Sequence, residues 1–454
     1  MPPVKNIPLK HARIDLESGA MVLVLDTGAA ITPEAEAMLQ ALHSRSPKGV
    51  LSHLEILQKK GPENFMASFY VGYGHKSIGD CGTCTIFIEG VSMLVAKAIQ
   101  DWMLYSGQES STRYMDFSAQ PFSDPLNTRE SALILENWRK FYLEAQKSLR
   151  ESLMQRYPKP AGEEQNIYEK AIAARSFDIL RGFLPSGTVT NLAWHTNLRQ
   201  AADKLMLLRH HPLQEVRGIA RAVTQALQQM FPSSFSHELY EKTEEYNQRW
   251  MENKYYFSDP ECPDFHLEEN SINTALLSKY REALSQRPLK TDLPKPIAEC
   301  GMLQFRFLLD FGSFRDIQRH RAVIQRMPLV TMDHGFEPWY LEELTDELRV
   351  RAEALIRTQK LSLQSLKLNP EVTQYYIPMG YRVPNRITGD LPALVYLVEL
   401  RSTRFVHPTL QRRALQIGEK ILELFAEYGL VLHLDTELGR FDTNRGRQDI
   451  VGKE

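Results

Sequence analysis

The sequence predicts a fold of alternating helices and short strands, arranged as two copies of one module. Two observations carry that reading: punctuation that recurs in both halves, and a length of 454 residues, half of which makes a comfortable domain. Around residue 184 the chain reads LPSGTVTNLAWHTNLRQAADKLMLLRHHPLQEVR, and around 377 it reads IPMGYRVPNRITGDLPALVYLVELRSTRFVHPTLQRR. In each copy an apolar residue, a proline and a glycine (Leu184, Pro185, Gly187; Ile377, Pro378, Gly380) precede an extended run, a cap and a helix. Asn197 and Asp390 are the caps. Each helix closes on an arginine, Arg209 or Arg401, placed 22 or 21 residues past its glycine. A His-Pro pair then opens a further helix, proline suiting the first turn, and Arg217 and Arg413 each follow six residues after their histidine. Two unrelated helical hairpins would leave this shared order to coincidence.

The elements follow from local pattern. Residues 83–89, TCTIFIE, alternate as a strand, and Gly90 turns the chain into an apolar helix through Leu94, Val95 and Ile99 that is expected to end near Gly107. Residues 129–156 read as a long helix, with Leu133, Leu135, Trp138, Phe141, Tyr142 and Leu149 near helical spacing. A second helix begins at about Glu163 and stops before Pro185. The stretch 231–265 is rich in breakers and marks the boundary between a domain at 1–240 and another at 265–454.

Composition narrows the function classes. Hydrophobic residues make up 43% and charged residues 24%, and 54 Lys+Arg against 56 Asp+Glu leave a net charge of -2, so no basic field advertises nucleic acid. The first residues show no apolar core behind a charged start, and no run approaches a membrane span of about 18 apolar residues. Four scattered cysteines, Cys81, Cys84, Cys262 and Cys300, are too few for a disulfide framework. These features point to a reducing, cytoplasmic setting. Cys81 and Cys84 form CGTC, but the pair enters a strand where a redox pair wants a helix start, so small packed residues explain it better than metal or redox chemistry.

Two segments could carry chemistry. Past Gly107, Glu109, Ser111 and Arg113 fall at alternate positions, with Tyr114 next, and an extended backbone would set carboxylate, hydroxyl and guanidinium on one face. A solvated loop is the plain alternative. In the second half Arg319, His320 and Arg321 follow a helix, and two guanidiniums with an imidazole suit a phosphate or pyrophosphate. A basic surface run is the alternative there.

At these residues the chain resembles the flavin-dependent thymidylate synthases, whose signature RHRxxSxxxxSxRY is preceded by a His-x-Ser strand and followed by an LP…T…NxR…LR block. The first half matches through Ser106, Glu109, Ser111, Arg113 and Tyr114, with Asp101, Trp102 and Met103 at the RHR positions. His75 and Ser77 match His-x-Ser, Arg181 stands as the substrate arginine, Asn197 and Arg199 match NxR, and Arg209 matches LR. The second half keeps Arg319, His320, Arg321 and Arg401 but has Ile324, Met327, Leu329 and Thr331 where Ser, Glu, Ser and Arg belong, and Gln374 for the substrate arginine. Arg113 to Arg181 spans 68 residues against 43 from Thr331 to Gln374, an insertion in the first copy.

The resemblance implies an α/β (α+β) fold, two tandem copies of a domain with a mixed sheet flanked by helices. It implies dUMP gripped by Glu109, Ser111 and Arg113 as the catalytic strip, with Ser106, Tyr114, Arg181, Arg209 and Arg401. It implies FAD held by Arg319, His320, Arg321, His75, Ser77, Asn197 and Arg199, with NADPH as reductant and methylenetetrahydrofolate as carbon donor. No metal and no cysteine nucleophile enter this scheme. Complementary losses in the two halves imply a homodimer that acts as a pseudo-tetramer. The same departures also admit an altered family member that binds a nucleotide or flavin without making thymidylate.

Overall fold

The computed structural model of the chain describes residues 11–25, 32–43, 56–57, 59–72, 75–110, 117–255 and 259–447. In chain order its main elements are β1 (His11–Asp15), β2 (Met21–Leu25), α1 (Pro33–His43), β3 (Thr83–Ser92), α2 (Met93–Gln100), β4 (Ser106–Glu109), α3 (Arg129–Arg156), α4 (Gln165–Leu180), β5 (Val189–Asn197) and α5 (Leu198–Leu208). There follow α6 (Gln214–Met230), α7 (Glu241–Tyr255), β6 (Phe265–Asn270), β7 (Met302–Asp310), α8 (Phe311–Ile317), β8 (Ile324–Arg326), α9 (Asp346–Ser365), β9 (Arg382–Asp390), α10 (Leu391–Arg401) and α11 (Pro408–Phe425).

The chain forms two compact units, residues 1–112 with 189–255, and residues 113–188 with 256–454. They do not coincide with the linear segments 1–240 and 265–454, because 113–188 packs into the second unit. There the buried stripe of α3, which includes Trp138, Phe141 and Leu149, meets its partners. Gln359 on α9 donates to the Ile134 carbonyl at 2.7 Å, and the Tyr376 hydroxyl donates to Asp124.

The first unit holds a sheet of order β1-β2-β3-β5-β4, the second a sheet of order β6-β7-β9-β8. The order β2-β3-β5-β4 thus recurs as β6-β7-β9-β8. Every adjacent pair is antiparallel, which corrects the expected mixed sheet. The cause is an insertion: α2 does carry the chain from β3 to a strand, β4, of the same direction, but β5 enters between them and opposes both. The second unit repeats this with β7, β8 and the inserted β9.

Strands β3, β5, β7 and β9 each run straight into a helix through a single polar cap. Ser92, Asn197, Asp310 and Asp390 accept from the backbone N–H three residues on, of Val95, Gln200, Ser313 and Ala393. Such a cap satisfies a donor the helix itself cannot, a contribution of about 1 kcal/mol each. The helix after β3 is buried all round from Met93 to Gln100, so no amphipathic stripe marks its end. It stops at Gln100, with Asp101 as its C-cap, and not near Gly107. Gly107 lies inside β4, where a Cβ would sit 2.0 Å from the Ala193 carbonyl oxygen.

Two further expectations change. Ser77 lies in a one-turn helix, Lys76–Gly79, and not in a strand. The polar run inside 231–265 forms α7, a helix of 15 residues. Among the described residues no helix is long and apolar enough to cross a membrane.

Candidate functional site

The second unit gathers four of the residues singled out from the sequence. Arg181 opens the 3-10 turn after α4, Arg319 and His320 follow α8, and Arg401 ends α10. They converge on Asp316, a residue sequence reading missed. Arg181 Nη1 lies 3.8 Å from its Oδ2 and Arg319 Nη2 3.9 Å from its Oδ1. Lost hydration opposes the Asp316 charge, yet Arg181, Arg319, Arg401 and Arg315 together hold its carboxyl below the usual range. Four guanidiniums therefore act on one carboxylate, and the surplus is cationic.

Arg401 Nε donates to His320 Nε2 at 2.7 Å. An imidazole that accepts at Nε2 is neutral and carries its proton on Nδ1. Burial, and then the Arg401 charge, lower the His320 pKa to about 3. The ring packs edge-on to Tyr396 with centroids 5.8 Å apart. Arg319 keeps 53% of its side chain exposed, and Arg321 is exposed beside it. The triplet thus offers two guanidiniums at the surface of the unit and one buried neutral imidazole.

Arg181 is buried, and its Nε has no hydrogen-bond partner. Burial opposes its charge, but Tyr340, Asp316, Asp178 and Asp310 raise its pKa above the ordinary arginine value. Its Nη2 donates to Ser313 Oγ at 3.3 Å. Ser313 belongs to a buried polar knot: its Oγ lies 3.2 Å from His407 Nδ1 and 2.6 Å from Thr409 Oγ1. The Thr409 and Tyr340 hydroxyls donate to Asp310 at 2.7 and 2.8 Å. His407 Nε2 donates to the Asp178 carbonyl at 3.1 Å while its Nδ1 accepts from Thr409 N at 3.4 Å, so this histidine is neutral too. The knot fixes where Arg181 points. The sequence did not single out Asp310, since its partners Tyr340 and Thr409 lie 30 and 99 residues away.

In the first unit the expected site residues are largely committed to structure. Asn197 caps α5, its Oδ1 accepting from Gln200 N at 2.8 Å. Arg199 pairs with Asp80 at 2.7 Å and reaches Asp203 at 3.6 Å, and Lys76 approaches the same Asp203 at 3.6 Å. His75 and Ser77 flank Lys76 at the exposed start of that one-turn helix. Arg209 is clamped by Glu244 of α7 through Nε and Nη2, and His210 shares that carboxylate at 2.8 Å. Ser106 is exposed on β4, and Glu109 at its end accepts from Gln100 Nε2 at 2.8 Å. Ser111, Arg113 and Tyr114 lie outside the described residues.

The buried neutral histidines set a pH dependence. Burial also pushes His407 and, in the first unit, His211 well below the ordinary histidine pKa. Below an unfolded value of about 6.5 the unfolded chain binds protons that these rings refuse when folded, so their contribution is complete above that pH. It drains as pH falls toward the folded His320 value of about 3. The urea midpoint is expected to fall steadily from pH 6.5 downward, and a midpoint unchanged between pH 7 and 5 would contradict this account.

Residues 30–233 match the family model described as thymidylate synthase complementing protein, so the first half is similar to that family's domain. Among individual proteins, a UPF0159 protein of Chlamydia muridarum is 26% identical, the match covering 83% of this chain and 82% of that relative. A UPF0159 protein of Chlamydia pneumoniae is 24% identical over 82% of this chain and 81% of its own length. A UPF0159 protein of Thermoplasma acidophilum is 22% identical over 83% of this chain and 90% of its own length.

Proposed function

We propose that the chain is an FAD-dependent thymidylate synthase that reductively methylates dUMP, with methylenetetrahydrofolate as carbon donor and NADPH as reductant. The observation that carries this reading is the surplus of guanidinium charge about Asp316, in the copy that keeps the Arg-His-Arg triplet. A dinucleotide's pyrophosphate fits such a donor set, because planar guanidiniums grip phosphate oxygens two at a time. The buried Arg181 Nε with no partner is a donor in want of an acceptor.

Arg319, His320 and Arg321 would hold the phosphates of FAD, His320 donating from Nδ1, and the flavin once bound supplies reducing equivalents. Arg181 and Arg401 would hold the nucleotide's charge, with Arg209, Ser106 and Tyr114 as the remaining substrate contacts. Glu109, Ser111 and Arg113 would orient the pyrimidine and favour negative charge on its ring. His75, Ser77, Asn197 and Arg199 complete the cofactor set. The domains 1–240 and 265–454 would be diverged copies, and the working form a homodimer.

A second reading, a member that binds nucleotide or flavin without making thymidylate, is favoured by the Glu244 clamp on Arg209 and by the use of Asn197 as a cap. Growth separates the two. Expression in a thymidine-requiring strain is expected to restore growth without thymidine, and purified protein is expected to absorb at about 450 nm as flavoproteins do. Flavin absorbance without rescue would favour the binder; absence of both signals would end the enzyme reading and leave only a member that binds nucleotide.

A further inference from the structure

In the first unit the positions that answer to the Arg-His-Arg triplet are Asp101, Trp102 and Met103, and a buried knot of lysines has formed there. Lys97 on α2, Lys204 on α5 and Lys254 at the end of α7 surround the one carboxylate of Asp101. Lys254 Nζ lies 2.9 Å and Lys97 Nζ 4.0 Å from its Oδ2, and the Tyr255 hydroxyl donates to the same oxygen at 3.1 Å. Lys204 Nζ instead donates to the Asp101 backbone carbonyl at 2.8 Å and lies over the Trp102 ring. Lys97 and Lys204 are 5% and 3% exposed.

Two further donors beside this knot have no acceptor. His211 Nδ1 accepts from Leu213 N at 3.1 Å, which leaves the proton on Nε2, and that buried N–H has no partner. The buried indole N–H of Trp102 has none either. With every amine protonated, three positive charges would face one negative charge in a place largely shielded from water. Burial relieves part of this by lowering Lys97 to about 8 and Lys204 to about 7, so Lys204 spends much of its time as an unprotonated amine at neutral pH. The knot lacks one negative charge with acceptor oxygens, beside a nucleophilic nitrogen.

We propose that Lys204 is a carbamylation site, its side-chain nitrogen adding carbon dioxide to form a carbamate held by Lys97, Lys254, Trp102 and His211. The nitrogen lone pair attacks the carbon of carbon dioxide, one C–N bond forms, one carbon–oxygen π pair moves to oxygen, and an N–H proton leaves to water. No oxidant or reductant is needed. The carbamate keeps one N–H, which preserves the donation to the Asp101 carbonyl. Two ammonium groups then face two anions, and the charge of the knot closes to zero. The two carbamate oxygens supply acceptors for the orphan indole and imidazole N–H groups.

Lys204 is the reacting amine because the other two lie toward the Asp101 carboxylate. Carbon dioxide is small and uncharged. The cover over the knot is α7, a polar helix whose buried residues are Asn247, Met251 and Tyr255 alone, so brief opening suffices for entry.

The test uses the full-length protein equilibrated with carbon-13 bicarbonate and does not depend on flavin or nucleotide. A slowly exchanging carbamate carbon resonance is expected, and alkylation with a trialkyloxonium salt is expected to leave a mass increment on the peptide containing Lys204. Lys204→Met should abolish both signals, and Lys420→Arg, a change at a surface helix position, should leave both intact. Trp102→Phe should lower occupancy several-fold by removing one donor. A wild-type Lys204 peptide that stays unmodified at saturating bicarbonate overturns the proposal, whether or not the Lys204 variant folds. So does a resonance that survives in folded Lys204→Met protein, or tightly bound inorganic phosphate found in the knot in its place.

Discussion

Arg401→Gln is expected to cut flavin retention by about 10- to 100-fold, the equivalent of losing one charged hydrogen bond and its share of the anion field. Arg401 acts twice: it adds charge to the cluster about Asp316, and its Nε fills the Nε2 acceptor of His320. Removing it frees that nitrogen to bind a proton. The His320 pKa should therefore rise from about 3, since the Arg401 charge is one of the causes that depress it. Two measurements check this, the flavin left per chain after gel filtration and the His320 ring shifts followed by NMR across pH. Arg349→Gln, which removes an exposed partner of Asp346, serves as the control. Unchanged flavin retention in folded Arg401→Gln protein would remove the cluster from the cofactor's binding site.

The second large effect concerns stability. Asp310→Ala is expected to cost about 3–5 kcal/mol, because a fully buried carboxylate that several donors depend on is lost at once. Its side chain caps α8 through Ser313 N at 2.9 Å and accepts from Tyr340 and Thr409, so three donors in an unexposed place lose their acceptor. Arg181 also loses one of the anions that favour its charge. Asp310→Asn should cost less, since one oxygen survives to serve the cap. Urea titration reads both variants, and a loss under about 1 kcal/mol for the alanine would mean the knot rearranges freely.

Elements with local causes were legible in the sequence. The helix at 129–156 runs over the same residues in the structure because its stripe is long and Thr128 and Ser131 close a capping box at its start. Asn197 and Asp390 cap as their positions foretold, and the recurring punctuation falls on recurring strands. Features with distant causes were not legible. Asp101 ends α2 beside Lys97, but Lys204 arrives 103 residues later. The Glu244 that clamps Arg209 lies 35 residues on, in a stretch whose polar composition read as a boundary. Within the candidate site, Arg319 and His320 were singled out from residue type, and Arg401 from the recurring spacing and the family resemblance. Asp316 and the Ser313–His407 contact needed the fold, since a carboxylate among basic residues looks from sequence like one more surface charge.

The membership of residues 113–188 in the second unit has a consequence for how the polypeptide is made. When a ribosome has delivered the first 240 residues, the apolar stripe of α3 has been released, but α9, which carries Gln359, and the 3-10 turn of Tyr376 do not yet exist. The part of that stripe which meets α9 must wait through the synthesis of a further hundred residues and more before it can be covered. A chaperone that shields nascent hydrophobic helices would find its substrate in that interval, and cutting the gene at the apparent midpoint would make the interval permanent.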